Sequence, residues 1–477
     1  MDMDMGAMVG DVVPEIVLLV GGVVVLLYAL FAPRRWQSGA AAIAASAAVL
    51  SAVLVTRRLV VTEQMLTFTD SYAIDHLTNW AVLFVLVATV AVIALSVAWF
   101  RQDPRHGEYY TLLLFSALGA IVLAGASDLI QLVLGLLLSS VTGYVLTAYH
   151  RRSRSSSEAG IKYFLLGALP NTGMLIGVAY LFGLAGASTY PDLGDALGPT
   201  SPALVVGAAL VLVGLAFKLG AVPVHAWVPD VAQGAPAPVA AFVTAAPKVG
   251  GLIALARFVA VLPPDAIGWR PVVAILAAAT MTLGNLAALW QDDLRRLLGW
   301  SAVSQTGYGL MAVVALQRSD LAVTSLLFFL AAYVLGNVAA FGVVTALRGR
   351  TDRADYQGLG RTRPLLAAVL AIGFLSFIGI PPLAGFPAKL LLFGAAIEAG
   401  YTWLAVLAVV NTVISVFYYA RFLAPMYFTD PDGEGRPALL SRWASAATIA
   451  CGIGVVAVGI AAEPLMRDFA TALLLPG

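Results

Sequence analysis

The chain is short of charge and almost without cysteine. Of its 477 residues only 11% are Asp, Glu, Lys or Arg, while 61% are hydrophobic, a balance that a water-exposed globular surface does not tolerate. With 27 basic against 26 acidic residues the net charge is +1, so no broad basic face exists for nucleic acid, and nucleic-acid binding is set aside. The one cysteine, Cys451, lies inside an apolar run; it permits neither an internal disulfide nor a thiolate set for a metal or an iron–sulfur cluster. Four histidines, at 76, 106, 150 and 225, are spread over separate loops and helix ends, a spacing that makes no metal site and no hydrolytic constellation. Glycine-rich stretches such as GYGLMAV at 307–313 neither follow a strand nor precede a P-loop lysine, and read as packing glycines of membrane helices. The opening MDMDMGAMVGDVVPEI lacks the basic region and small-residue cleavage site of a signal peptide, so the apolar run after it is expected to be a retained span.

What the chain has in abundance is long apolar runs. Its mean hydropathy is +0.92. Stretches of the length that crosses a hydrocarbon core number about fourteen, near 12–32, 38–56, 74–99, 109–126, 128–149, 160–185, 202–222, 235–262, 270–290, 296–316, 320–347, 364–395, 402–427 and 443–472. The longest breaks, around Arg348–Arg363 and Thr429–Arg442, are too short for an extramembrane domain. The fold class that follows is all-α: one polytopic membrane domain over 1–477. Loops after odd-numbered spans carry Arg34, Arg35, Arg101, Arg105, Arg151, Arg152, Arg154, Arg295, Arg296, Arg348, Arg350, Arg353, Arg361 and Arg363. Those after even-numbered spans are mostly neutral or acidic, with Arg57 and Arg58 as the exception. Short positive loops stay cytoplasmic, so both termini are expected on the non-cytoplasmic side.

Two spans are interrupted by proline and glycine, LAFKLGAVPVHAWVPD at 215–230 and LSFIGIPPLAGFPAKLLLF at 375–393. Proline removes a backbone donor, and the freed carbonyls need new partners at membrane depth. Each stretch holds a lysine, Lys218 or Lys389. Paired broken helices in two halves of a chain mark internally repeated transporters with a working site near the midplane; the corresponding repeats are 109–262 and 270–427, flanked by helices in 1–100 and 443–477. A lysine amid apolar sequence costs at least ~2.5–3.5 kcal/mol to insert, and burial disfavours its charged form, so it can take up and release a proton. Lys218, Lys248 and Lys389 all fit that description; the competing reading is that they snorkel to an interface or act as fixed counter-charges. Ser301, Ser304, Gln305, Tyr308, Tyr333, Asn337, Asn411, Ser415 and Tyr418 could order a water file between the lysines and His225, or could be hydrogen-bonding glue between packed helices. His225 itself reads either as a relay or as a donor that orders the loop at the first break.

The run FKLGAVPVHAWVPDVAQGAPAPVAAFVTAAPKVGG at 217–251, with DDLRRLLGWSAVSQTGYGLMAV at 292–313 and GIPPLAGFPAKLLLF at 379–393, resembles the antiporter-like subunits shared by complex I, Mrp-type cation/proton antiporters and membrane-bound hydrogenases. VPDVAQGAPAPV, the early PEIVLL at 14–19 and EAGIKYFLLGA at 158–168 look most like the subunit N branch of complex I, the NADH:quinone oxidoreductase of the bacterial cell membrane. The likeness runs along nearly the whole chain. It implies about fourteen helices with two inverted five-helix repeats, each containing a broken helix. It also implies membrane-subunit partners of complex I within the lipid bilayer. NADH, flavin, iron–sulfur clusters and quinone would be bound by partner subunits, with no cofactor, no metal and no redox site in this chain. By resemblance Lys218 matches the lysine on broken helix 7, Lys248 the helix 8 lysine linking two half-channels, and Lys389 the helix 12 lysine at the exit side.

One departure stands out. The family places a glutamate on helix 5 beside the helix 7 lysine; here the aligned stretch is LGLLLSSVTGYVL at 134–146, with Leu137 in that place. No acidic residue lies between Asp128 and Glu158, between Glu158 and Asp192, or between Asp195 and Asp230. The ion-pair switch is therefore absent, rewired through water and Ser139, Ser140 or Thr142, or supplied by a neighbouring chain. Three functions remain open at this point: a proton-translocating subunit of the oxidoreductase, a structural paralogue with impaired pumping, and a subunit of an Mrp-type antiporter.

Overall fold

A computed structural model of the chain describes residues 9–61, 64–101, 103, 106–198, 200–263, 268–348, 350–430 and 441–475. Arg105 and most of the loop around 429–442 lie outside the described residues. In chain order the elements are α1 (Val13–Phe31), α2 (Gly39–Val61), β1 (Met65–Thr67), β2 (Tyr72–Ile74), α3 (His76–Trp99), α4 (Gly107–Gly125), α5 (Leu129–Thr147), α6 (Arg154–Ala185) and α7 (Tyr190–Ala196). Next come α8 (Pro202–Leu219), α9 (Trp227–Gly234), α10 (Ala237–Val261), α11 (Trp269–Ala288), α12 (Leu294–Ala315) and α13 (Leu321–Ala346). The last are α14 (Leu359–Thr362), α15 (Pro364–Ile378), α16 (Gly385–Glu398), α17 (Thr402–Phe428), α18 (Arg442–Ile460) and α19 (Ala462–Phe469).

Among the described residues twelve helices are long and apolar enough to cross a membrane. Two expected spans fall outside that count for different physical reasons. α12 has 22 residues, ample length, but it carries Arg295, Arg296, Gln305 and several hydroxyls and lies almost wholly buried; its polar groups are hidden by protein rather than by lipid. The region expected as one span over 364–395 is two half-helices of 15 and 14 residues, each too short to cross alone. The structure adds a feature missing from the sequence reading, a short antiparallel hairpin in which Leu66 pairs with Ala73.

Helix starts follow side-chain chemistry. Asp75, Asp128, Ser153, Ser201 and Asp293 each accept a hydrogen bond from a first-turn amide of α3, α5, α6, α8 or α12, satisfying donors that a helix leaves orphaned. The Ser153 cap explains why α6 begins six residues before the expected 160. Both breaks open on a left-handed glycine, Gly220 at φ 71° after α8 and Gly379 at φ 95° after α15, a conformation that a side chain would strain.

The two halves repeat one local pattern. Asp128 bridges Thr189, with Leu129 N donating to Ser188 O and Tyr190 N to Ser127 O. Asp293 bridges Asp352, with Leu294 N donating to Thr351 O and Arg353 N to Asp292 O. Five passes separate the starts of α5 and α12, an odd number, so the two patterns sit on opposite faces and the repeats are inverted. Glycine places the same packing in each: a Cβ on Gly119 of α4 would overlap the backbone of Ser139 on α5, and one on Gly284 of α11 would overlap that of Ser304 on α12.

Helices α10 and α13 run through the centre with scarcely an exposed side chain. The outer helices turn Leu165, Leu169, Val413 and Phe417 outward, the apolar face that lipid or a neighbouring subunit covers. Away from the arginine-rich loops, two ion pairs among the described residues are sealed into the protein: Arg58 with Glu15 and Arg257 with Asp75, the latter at 2.6 Å with both side chains 0% exposed. Arg257 also holds the Leu475 carbonyl, which ties the C-terminal segment to α3 and α10.

Candidate functional site

Every lysine except Lys162 is buried: Lys218, Lys248 and Lys389 are 1%, 2% and 5% exposed. Lys218 stands on the last turn of α8, where a cation meets the negative end of the helix dipole. Its Nζ donates to Ser140 Oγ at 3.2 Å. Ser140 lies three residues after Leu137 on α5, and among the described residues no carboxylate forms an ion pair with Lys218. Of the three hydroxyls the sequence offered as substitutes, Ser140 meets the lysine. Thr142 bonds back to the Leu138 carbonyl, and Ser139 Oγ has no partner among the described residues.

Lys248 follows Pro247 inside α10. Its Nζ donates to the Ala302 carbonyl and, at 2.8 Å, to Thr306 Oγ1. Thr306 in turn donates to the Leu219 carbonyl at 2.9 Å, the residue next to Lys218, so one hydroxyl spans the gap between the first two lysines. The face of Tyr333 lies 5.8 Å from Lys248 Nζ, and Tyr333 Oη and Asn337 Nδ2 donate to the Thr244 carbonyl and hydroxyl.

Lys389 is on the far side of the second break. It donates to the Ile378 carbonyl at 3.1 Å, freed by the end of α15, and to Thr412 Oγ1 at 3.1 Å. Tyr308 presents its ring 4.3 Å from the ammonium and bonds Thr412 at 3.0 Å. A cavity of ≈ 10 Å³, bounded by Gln305, Tyr333, Ser376 and Lys389, lies between the second and third lysines and is about the size of one water-sized probe.

The nine polar residues expected at depth divide accordingly. Tyr333 faces Lys248, Asn337 bonds Thr244 one turn before it on α10, and Tyr308 and Gln305 adjoin Lys389. Ser304 and Tyr418 both donate to Asn285 Oδ1, which belongs to a residue bonded to Asn411, and Ser301 bonds Tyr419; these are cross-helix ties. Ser415 donates to Thr412 O within its own helix. His225 sits half-buried between α8 and α9, its ring 5.6 Å from Trp300 and its Nδ1 without a hydrogen bond among the described residues. The sequence reading missed Thr306 and Thr412, because hydroxyls recur throughout membrane helices and only packing tells which ones meet an amine.

On the arginine-rich face a cleft of ≈ 1210 Å³ opens between α4, α5 and α6, lined among others by Arg34, Trp99, Asp103, Tyr144, His150 and Arg348. His150, in the loop after α5, lies 3.4 Å from Asp103 and stacks on Trp99. Burial pulls its pKa below the ordinary 6.5, against the opposing pull of Asp103. Among the described residues no three His, Cys, Asp or Glu side chains gather as metal ligands.

Residues 126–415 match the family described as NADH:quinone oxidoreductase/Mrp antiporter, TM. The NADH-quinone oxidoreductase subunit N of Mycobacterium sp. (strain JLS) is 41% identical over 456 residues, 95% of this chain and 96% of that protein. That named subunit N 1 in Streptomyces griseus is 43% identical over 452 residues, 94% of this chain and 95% of its own. A chain of the respiratory complex I from Thermus thermophilus with bound aureothin superposes with a TM-score of 0.83 at 29% identity, covering 96% of this chain and 100% of that one.

Proposed function

We propose, from the premise that this chain belongs to the NADH-quinone oxidoreductase subunit N family, that it is a proton-translocating membrane-arm subunit of an NADH:quinone oxidoreductase. The observation that carries this reading is the set of three buried lysines strung along hydroxyls and freed carbonyls. Lys218 bonds Ser140, Lys248 bonds Thr306, whose hydroxyl reaches the carbonyl beside Lys218, and Lys389 bonds Thr412 and shares a small cavity with Tyr333. Neutral partners leave a buried amine without a fixed counter-charge, so neither protonation state is locked. Lys218 takes up the proton, Lys248 passes it between the halves and Lys389 releases it. His225, with no hydrogen bond to a lysine among the described residues, has no part in this path.

Electron transfer from NADH to quinone belongs to partner subunits, which bind the nicotinamide, flavin, iron–sulfur clusters and quinone; this chain has no redox site of its own. It is a multi-pass protein of the bacterial cell membrane, with the arginine-rich loops cytoplasmic and both termini on the other side. Two subunit N relatives above 40% identity favour this reading over an Mrp-type antiporter. The structural-paralogue reading draws on Leu137 alone, and the Lys218–Ser140 bond speaks against it, since the lysine keeps a partner.

The test is proton pumping by the assembled complex in vesicles. Lys218→Ala and Lys389→Ala each lower the number of protons moved per NADH oxidised while assembly and quinone reduction persist. Wild-type pumping in both variants contradicts the proposal and favours a scaffold.

A further inference from the structure

We propose that protons reach Lys218 from the arginine-rimmed cleft through the hydroxyls of Tyr144 and Ser140, two groups that do on α5 what a carboxylate would otherwise do. The proposal rests on the proton-translocating reading above and specifies its uptake side.

Tyr144 lines the cleft, and its side chain is mostly buried at 9% exposure. One turn deeper on the same helix face, four residues before Tyr144 on α5, is Ser140, fully buried. Ser140 Oγ then accepts from Lys218 Nζ at 3.2 Å. Three polar groups thus line the way from the cleft wall to the first lysine, and the step from Tyr144 to Ser140, one helical turn, is the one that a water would bridge. The neighbourhood is built around the phenol oxygen. Asn171 Nδ2 of α6 donates to it at 2.9 Å, and a Cβ on Gly167, one turn before Asn171, would overlap both that oxygen and the Phe217 ring. Asn171 Oδ1 and Ser139 Oγ are buried acceptors without a hydrogen bond among the described residues, the kind of group that an ordered water satisfies.

The transfer conserves atoms and charge. Neutral Lys218 gains a proton from the Ser140 hydroxyl, Ser140 regains one from Tyr144 through a bridging water that passes one proton on and keeps its own count, and Tyr144 regains one from a hydronium ion in the cleft, which leaves as water. One N–H bond forms on Lys218, one proton leaves the cleft, and both hydroxyls return to their starting state after rotating. Because the partners are neutral, the loaded lysine is not held by an ion pair and can pass its proton toward Thr306 and Lys248. Tyr144 and Ser140 are positioning residues that act through Lys218.

The experiment measures protons pumped per NADH oxidised by the assembled complex in vesicles carrying Tyr144→Phe, Ser140→Ala, Ser140→Thr or Lys218→Ala. Tyr144→Phe keeps the ring packed on Tyr163, 4.6 Å away between centroids, and removes only the hydroxyl. The expected result is a ratio lowered in Tyr144→Phe and Ser140→Ala by as much as in Lys218→Ala, with Ser140→Thr restoring it. Wild-type pumping in Tyr144→Phe and Ser140→Ala alongside a deficit in Lys218→Ala overturns the relay and leaves the function standing; wild-type pumping in all of them overturns both. A second measurement does not depend on turnover. In a Cys451→Ala background, a membrane-impermeant thiol reagent applied from the arginine-rich side is expected to label Tyr144→Cys, and protection of that cysteine from this side contradicts uptake through the cleft.

Discussion

At single side chains, protonation is governed by which neutral or charged groups the fold brings within 3–4 Å, and His150 offers a measurable case outside the spans. Its folded pKa lies below the ordinary 6.5 because burial outweighs the attraction of Asp103, with Arg348 and Arg295 adding repulsion. A depressed value means that the folded state resists protonation, so the stability is fully present above pH 6.5 and is lost as the pH falls through the folded pKa. The thermal transition of the purified complex is expected to drop between pH 7.5 and 5.5, and the drop should shrink in His150→Gln; identical pH profiles for the two contradict it. At this scale the sequence was half legible. Lys218 and Lys389 announced themselves because nothing else in their apolar runs is charged, and Lys248 shares its run with Arg257 alone. Of their partners the sequence offered Ser140 only as one of three hydroxyls and gave no sign of Thr306, because Ser140 meets Lys218 across 78 residues of chain and Thr306 meets Leu219 across 87.

Among elements, the packing of α4 on α5 and of α11 on α12 fixes where the site's hydroxyls stand. Gly119 and Gly284 let each pair close to backbone contact, the small-residue packing on which membrane helices rely. Replacing either with alanine forces a helix to shift, at an overpacking cost of about 1–3 kcal/mol. Gly119→Ala moves α5, and with it Ser139 and Ser140. Gly284→Ala moves α12, and with it Thr306. Both are expected to lower the thermal stability of the complex by similar amounts, and a wild-type melting profile for either contradicts the repeated packing. The breaks were legible from GAVPV and GIPPL, since proline cannot continue the ladder and glycine supplies the left-handed residue that ends α8 and α15. The hairpin at 65–74 was not, because three-residue strands with few alternating positions give no periodic signal.

Across the whole molecule, the apolar runs found the membrane protein but could not tell a helix shielded by lipid from one shielded by protein. α12, counted as a span from its length, is less apolar than the twelve membrane-crossing helices and lies among the most enclosed, since its polar groups face other helices and not lipid. That enclosed helix carries Thr306, the joint between the halves, and it adjoins the cavity before Lys389. On the proposed function, the three lysines belong to one path that crosses both repeats. The measurement to make is the proton-to-electron ratio of the assembled complex in vesicles for Lys218→Ala, Lys389→Ala and the double variant. Steps in series fail together, so the double variant is predicted to pump as much as either single one. A double variant whose deficit equals the sum of the two single deficits would contradict a shared path and leave two independent sites.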